Sequence, residues 1–249
     1  MLKNKMLRSL NSSVFIGIII VCFSGIAHST VAPTCMGLFG NPEDSERFGA
    51  RDSLKIKALL LTAMEKTMNS FPTLDSRKLL EIDMGLYPVA VRGTYEKNKL
   101  FIKTDPAEES IRLNELRWAW FFSEVGIGPK LHGLVEFQHG VNGMALEYID
   151  GQVVMIRNAN RMQAGSFKVT AQMKNDIRAI GKLLKKMGVK YATDMQFFLA
   201  KPNQEYPNGR ALIFDAEYFS MTTNIVPDDF LKNIETDPEK AAEAIANSI

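Results

Sequence analysis

Two short apolar runs near the C-terminal end carry an aspartate each, and this pattern constrains the fold more than any other in the chain. The runs are Gln196–Ala200 and Ala211–Phe214, and the residues between them are rich in proline, asparagine and glycine. Such a pattern predicts a β-hairpin. Asp194 lies just before the first run and Asp215 directly follows the second. A turn or cap role explains a single aspartate well but explains this pair poorly.

The chain upstream of the hairpin alternates between strand and helix patterns. Five runs have the composition and turn boundaries of strands: Leu79–Asp83, Val89–Arg92, Leu100–Lys103, Leu131–Phe137 and Gly143–Tyr148. Two segments have apolar residues at helical spacing, Pro106–Glu124 and Ala171–Met187. We expect the first three strands to form an antiparallel meander. After a break at Asp150-Gly151 we expect mainly helix around the hairpin, which makes the fold class α+β.

The first 29 residues have the three-part pattern of an export signal. Three basic residues precede an apolar stretch from Val14 to Ile26, and the small residues Ala27 and Ser29 follow it. We expect cleavage after Ser29 and a secreted protein, with the periplasm as the alternative location. The apolar stretch is shorter than the roughly 20 residues of a membrane helix, so we expect no stable membrane anchor.

Cleavage of the signal would change the charge of the chain. The formal net charge is +2, and removal of three basic residues leaves 27 basic against 28 acidic residues. A nearly neutral chain lacks the basic face of nucleic-acid-binding proteins, so we expect no nucleic-acid partner. Of the two cysteines only Cys35 would remain, which excludes an internal disulfide. The fold must therefore be stabilised by its own core.

The chain between the signal and the first strand pattern is expected to be an extension. Residues 30–78 comprise a flexible lead and a helical pattern from Asp44 to Asn69. Its apolar stripe is Leu54, Ala58, Leu61, Met64 and Met68. We expect this stripe to pack against the main domain, because it would otherwise be exposed. Beyond it, residues 79–150 are rich in strand patterns and residues 151–249 in helix patterns.

The order of these elements resembles the protein-kinase fold from Leu79 to Phe219, in the minimal form of bacterial effector kinases and aminoglycoside phosphotransferase-like proteins. The stretch Asp194–Phe197 is similar to the catalytic loop of the HopBF-type effector kinases, which phosphorylate a host chaperone. The resemblance implies a two-lobed fold, with an antiparallel-sheet N-lobe at 79–150 and a reduced helical C-lobe at 151–249. It also implies a virulence effector that transfers the γ-phosphate of ATP, with Mg²⁺, to a protein hydroxyl, and a host chaperone is one candidate partner.

The same resemblance implies roles for four charged residues. Lys103 would contact the nucleotide phosphates, and Glu115 on the following helix would hold that lysine in place. Asp194 would be the base that accepts or orients the proton of the attacking hydroxyl. Asp215 would bind the Mg²⁺ that bridges the phosphates. The ordinary alternative for Lys103 is a strand-end lysine in solvent.

Four further positions complete the implied site. Gln196 would take part of the role of a phosphate-contacting lysine that many kinases carry near the base. Gly85 is the one glycine of a poor phosphate loop. Glu147 and Ile149, in the segment between the two lobes, would bind adenine mainly through main-chain atoms. No long segment for regulation by loop phosphorylation follows the hairpin, which implies constitutive activity.

Departures from the kinase pattern leave two alternatives open. Ala192 replaces the histidine two places before the base, and Leu199 replaces a metal-binding asparagine five places after it. These departures favour a pseudokinase that acts as a binding module, whereas the retention of all four charged residues favours an enzyme. A small-molecule phosphotransferase would share the same residues. Export adds a constraint, since ATP would be met only after a second step into a host cell.

Overall fold

The computed structural model describes residues 50–84, 90–95, 98–103, 112–136, 142–155, 167–216, 218–222 and 235–249. These residues belong to one compact unit, Ala32–Ile249, and have the predicted α+β architecture. The predicted export signal, Gly85 and the beginning of the predicted helix Pro106–Glu124 lie outside the described residues. No helix in the described ranges has the length and apolar character that spanning a membrane requires.

The predicted meander is part of a six-stranded sheet within the described residues. Its strands are β1 (Thr73–Leu74), β2 (Leu79–Met84), β3 (Ala90–Tyr95), β4 (Asn98–Lys103), β5 (Leu131–Glu136) and β6 (Asn142–Glu147). The order is β1-β5-β6-β4-β3-β2. All neighbours are antiparallel except β1 and β5. The five predicted strands are confirmed, with ends shifted by up to three residues, whereas β1 had no signal in the sequence.

Strand β4 presents different side chains to the two faces of this sheet. Leu100 and Ile102 are buried in a cluster on one face, together with Val135. Phe101 packs on the opposite face, against the second core cluster. Because successive residues of a strand point to opposite faces, Lys103 shares the face of Phe101. The side chain that carries the predicted chemistry is therefore directed inward.

Two helices pack on one another beside the sheet, α1 (Ala50–Glu65) and α2 (Leu113–Val125). Helix α2 ends where Gly126 takes a left-handed φ of 77°, a conformation that glycine adopts without strain. Its residues Leu116 and Ala119 contribute to the sheet-side core, while Trp118 contributes to the core on the helical side. Helix α2 thus connects the two cores of the described chain.

Helix α1 packs against the main domain as predicted, but the predicted stripe is only partly right. Its residues Met64 and Met68 pack against the cores, whereas the three others are exposed. The buried residues of α1 are Ile56, Leu60 and Ala63, whereas Leu54 and Leu61 are 66% and 65% exposed. The apolar residues of this helix occupy more than one face, so spacing alone did not identify the face that packs. Contact with α2 decides which face is buried.

The predicted hairpin forms the greater part of a second, three-stranded sheet. Its strands are β7 (Gly151–Met155), β9 (Gln196–Ala200) and β10 (Arg210–Asp215), in the antiparallel order β10-β9-β7. Two short strands, β8 (Tyr191–Ala192) and β11 (Phe219–Ser220), pair beside it. The predicted break is confirmed, since residues 148–150 lie outside any strand, but strand β7 follows it at Gly151, where mainly helix was expected. A short strand that depends on pairing with a distant partner carries little local signal.

Both faces of the second sheet are buried. Phe197 and Leu199 face a core formed by helices, while Phe198 and Ala200 belong to the cluster beneath the first sheet. A strand buried on both faces requires a continuous apolar run, and this explains the composition of β9. The three-stranded sheet is therefore the middle layer of the described chain.

The helical side consists of α3 (Ala171–Lys186) and α4 (Pro238–Ser248). Helix α3 matches the predicted segment Ala171–Met187 to within one residue. The two helices approach closely at Gly181, where a Cβ atom would lie 2.4 Å from Cβ of Ala242. Buried apolar residues of both helices complete the core that covers Phe197 and Leu199.

Asp176 on α3 is a buried carboxylate that makes the stability of the fold depend on pH. It accepts hydrogen bonds from the amide of Ala211 and from Gln172 Nε2, at 2.9 and 2.7 Å. Burial raises its pKa from 3.8 to about 6, against the opposing effect of these bonds and of Arg210. The folded state therefore binds this proton more tightly than the unfolded state, and stability falls as pH rises from 3.8 to about 6.

We expect Asp176→Asn to abolish this fall in stability. The asparagine keeps an acceptor for the Ala211 amide and carries no charge, so it removes a cost of about 3 kcal/mol at neutral pH. Urea unfolding at pH 4 and pH 7 measures the effect. Glu243→Gln, which removes an exposed carboxylate on α4, is the control and should retain the fall. A wild-type protein with equal stability at both pH values would contradict the prediction.

Candidate active site

Three elements bring Lys103, Glu115 and Asp215 together. The Lys103 Nζ atom, at the end of β4, donates a hydrogen bond to Oε1 of Glu115 on α2. It lies 3.0 Å from Oδ1 of Asp215 at the end of β10. The Lys103 and Asp215 side chains are each 13% exposed, and that of Glu115 is 3% exposed. The ordinary alternative, a strand-end lysine in solvent, is therefore wrong. The Lys103 ammonium lies between two carboxylates.

The charge of Lys103 is maintained by these two neighbours. Burial by itself would lower the pKa of the Lys103 ammonium, but the carboxylates of Asp215 and Glu115 raise it well above its usual value. The side chain is therefore cationic at every physiological pH. A permanently charged, largely buried ammonium at the end of a strand is suited to contact an anionic ligand.

Glu115 owes its position to the beginning of α2. The helix begins at Leu113, so Glu115 lies in its first turn, where a carboxylate interacts favourably with the helix dipole. Glu108 and Glu109, at the beginning of the predicted segment Pro106–Glu124, lie outside the described residues. The location of Glu115 explains why a nearly buried carboxylate is tolerated there: it has both a helix terminus and an ammonium to interact with.

Asp194 and Asp215 meet at one edge of the second sheet. Because β9 and β10 are antiparallel, the beginning of β9 lies beside the end of β10, and Gln196 is in register with Asp215. The Gln196 Nε2 atom donates a hydrogen bond of 3.3 Å to Oδ2 of Asp194. On its other side the backbone of Gln196 pairs with Met155 of β7. Gln196 is therefore held on both sides and connects the positions of the two aspartates.

The backbone at Asp194 adopts an unusual conformation. In the described part of the chain it is the only residue other than glycine with a positive φ, 55°. Aspartate tolerates the left-handed region better than most residues, yet the conformation still costs free energy. Such geometry is concentrated at functional sites. Here it places Asp194 between β8 and β9, close to the edge that carries Asp215.

The segment after Asp215 is attached to α2. Asn114 Nδ2 and Trp118 Nε1 both donate hydrogen bonds to the carbonyl oxygen of Phe219, at 3.1 and 3.3 Å. Phe219 also pairs with Ala192 in the small sheet that precedes Asp194. Sequence reasoning did not assign Asn114 or Trp118 to the site. Their one available signal was proximity to Glu115 on the same helix, since residues three apart share a face.

The predicted base-binding residues lie at the end of the β4–β6 pairing that is opposite to Lys103. The Glu147 amide donates to the carbonyl of Lys130 at 2.8 Å, so its backbone N–H is already bonded. Ile149 is 9% exposed, and its amide and carbonyl make no backbone hydrogen bond with another described residue. Of the two proposed positions, Ile149 is therefore the better suited to bind a ligand through its main chain.

The described residues contain no group of three or more histidine, cysteine, aspartate or glutamate side chains placed to hold a metal ion. Leu199, where the kinase pattern has a metal-binding asparagine, is completely buried against the helices. A magnesium ion needs fewer protein ligands, because it usually retains water and binds one or two carboxylates together with substrate phosphates. Asp215 and Asp194 fit that more limited requirement.

Comparison with known proteins does not assign the chain to a family. No protein-family model matches it, and no curated protein is significantly similar to it in sequence. The geometry of the site is therefore the basis on which a function can be proposed.

We expect Asp215→Asn to increase the chemical reactivity of Lys103. Loss of one carboxylate lowers the pKa of the ammonium, and each unit gives about tenfold more of the reactive free amine. Brief acylation at pH 9 followed by peptide mass spectrometry measures the modified fraction, with the exposed Lys57 as internal reference. Asp75→Asn, at an exposed turn where Asp75 pairs with Arg77, is the control and should leave Lys103 protected. Equal acylation of Lys103 in the wild type and in Asp215→Asn would contradict the prediction.

Proposed function

We propose that this protein is an exported ATP-dependent phosphotransferase with a minimal two-lobed protein-kinase-like fold. The six-stranded sheet with α2 would be the N-lobe, and the second sheet with α3 and α4 would be the reduced C-lobe. The acceptor is proposed to be a hydroxyl of a host protein, on the resemblance to minimal effector kinases. The second lobe contains more sheet than the resemblance implies, since β7, β8 and β11 accompany the hairpin.

The observation that carries the proposal is the contact of one strand lysine with two carboxylates from separate elements. In protein kinases a strand lysine pairs with a helix glutamate, and an aspartate nearby binds the metal; both must be in place for activity. Lys103, Glu115 and Asp215 come from the corresponding elements in the corresponding order, and both carboxylates lie within bonding distance of the lysine. Structural ion pairs also occur, but a buried charged triad is rarely retained for stability alone.

The balance of charge favours a ligand that brings its own cation. Glu115, Asp215 and Asp194 contribute three carboxylates, whereas Lys103 contributes one ammonium. These four groups would repel a bare polyphosphate. A divalent cation bound with the nucleotide reverses this repulsion, and Asp215 is placed to bind it. Magnesium would then supply neutralisation of the charge that develops on the transferred phosphoryl group.

The proposed reaction gives each residue a separate task. Lys103 holds the phosphates, and Glu115 keeps the lysine side chain in place at the end of β4. Asp194 orients the acceptor hydroxyl and receives its proton as the new oxygen–phosphorus bond forms. The bond between the β-phosphate oxygen and the γ-phosphorus breaks, and ADP leaves with that electron pair. Gln196 positions the Asp194 carboxylate through its 3.3 Å hydrogen bond.

A pseudokinase is the second candidate, and two positions favour it. Ala192 is buried and paired with Phe219, so nothing at that position can replace the kinase histidine. Leu199 is buried against the helices and cannot bind a second metal. A module of this kind would bind nucleotide without transferring phosphate. A small-molecule phosphotransferase shares all the site residues and differs only in its acceptor.

Phosphate transfer is tested directly with radiolabelled ATP and Mg²⁺. The protein without residues 1–29 is incubated alone and with a eukaryotic cell lysate, and incorporation of label is measured. We expect labelling that is lost on chelation of Mg²⁺. Asp194→Asn should lower it by about 100-fold or more while nucleotide binding is retained, because it removes the proposed base. Asp215→Asn and Lys103→Met should weaken nucleotide binding itself.

The control for this experiment is again Asp75→Asn, which should label as the wild type does. Nucleotide binding without any labelling would support the pseudokinase and reject the enzyme. Absence of both nucleotide binding and labelling would reject the proposed function altogether.

A further inference from the structure

Three phenylalanine rings fill the space between the two sheets next to Lys103. Phe101 lies two residues before the lysine on β4, Phe198 is on β9 and Phe214 is on β10. The Phe101 and Phe198 rings meet edge to face at 5.3 Å, and Phe198 stacks on Phe214 at 4.0 Å. Phe101 also meets Phe214 at 6.2 Å. The described residues at this place form a closed aromatic cluster.

The cluster lies between the charged end of the site and the segment that connects the sheets. Along β4 and β6, Lys103 pairs with Met144 and Phe101 pairs with Leu146, one residue before the end of β6. The step from Lys103 to Phe101 therefore leads towards the connecting segment at residues 148–150. On this inner face of β4, Phe101 is the next side chain after the lysine.

Strand β9 of the second sheet also leads from the charged residues towards the connecting segment. Gln196, at the beginning of β9, lies beside Asp215, whereas Ala200 at its end pairs with Gly151. Phe198 is halfway between these ends. Phe101 and Phe198 therefore face each other at the middle of the same path, one from each sheet.

A nucleoside triphosphate in the proposed site must follow this path. Its phosphates would lie at Lys103 and Asp215, and its base would extend towards Ile149. A planar base held between two rings needs them about 7 Å apart, twice the contact distance of roughly 3.5 Å. The edge-to-face contact of Phe101 with Phe198 leaves no such gap.

We propose that the Phe101 side chain occupies the base-binding position in this form of the protein and must leave it when a nucleotide binds. This inference rests on the proposed function. Phe101 is the ring that can move, because it is partly exposed, whereas Phe198 and Phe214 are each 5% exposed and stacked on one another. The base then packs on Phe198, in the position that the Phe101 ring has left. Phe101 thereby reduces the affinity for every base-carrying ligand and leaves affinity for the phosphates unchanged.

The expected consequence is that Phe101→Ala tightens nucleotide binding. If the open form is populated to one part in ten or less, removal of the ring raises the apparent affinity for Mg·ATP by about tenfold or more. Magnesium tripolyphosphate, which has no base, should bind the wild type and the variant equally. Isothermal titration calorimetry with both probes measures the difference.

The matched control is Phe167→Ala, which removes a ring that is partly exposed, like that of Phe101, but packs against the helical core. It should bind both probes as the wild type does. Phe101→Leu and Phe167→Leu form a second pair that preserves most of the packing, and circular dichroism verifies the fold of each variant.

The outcomes separate this inference from the proposed function. Tighter binding of Mg·ATP, but not of tripolyphosphate, in the Phe101 variants supports it. If the wild type binds Mg·ATP, and Phe101→Ala and Phe101→Leu bind it equally tightly or more weakly, the inference alone is overturned. Failure of Mg·ATP to bind the wild type and both Phe101 variants overturns the inference and the proposed function together.

Discussion

One largely buried ammonium determines how the parts of this structure must be arranged. Lys103 comes from the first sheet, Glu115 from α2 and Asp215 from the second sheet, and their contact joins all three elements. A charge removed from water is stable only when it is paired, and a buried charge left without any partner costs about 3–5 kcal/mol. The relative positions of the two sheets and the helix are therefore restricted by electrostatics as well as by packing. The same restriction fixes the geometry of the proposed site.

The middle sheet extends from the charged residues of the proposed site to the segment that connects the two sheets. Its strands are buried on both faces, so they cannot slip by one residue without moving Phe197 and Phe198 into the wrong cores. That constraint holds the register in which Gln196 faces Asp215, and Asp194 follows through its hydrogen bond to Gln196. At the opposite end the sheet meets the connecting segment near Ile149. Stability of the core and geometry of the site thus depend on the same pairing.

Much of the secondary structure could be predicted because its signals are local. Helix α3 has a regular apolar spacing and ends within one residue of its prediction, and the hairpin has a clear turn composition between two apolar runs. The stripe of α1 was predicted only in part, since several faces of the helix carry apolar residues and only the contact with α2 distinguishes them. Strand β7 was missed for a related reason: its five residues gain their structure from β9, about 45 positions later in the chain.

The sequence by itself determined the elements of the site: a lysine that ends a strand, a glutamate on the next helix and an aspartate at each end of a hairpin. Their order along the chain resembles the kinase pattern, and this resemblance predicted that they act together. Only the tertiary structure decided that Lys103 is paired on both sides, that Asn114 and Trp118 anchor the segment after Asp215, and that Phe101 fills the space beside them. These features are contacts between residues far apart in the chain, and no local pattern specifies them. They follow from the packing of one sheet on another.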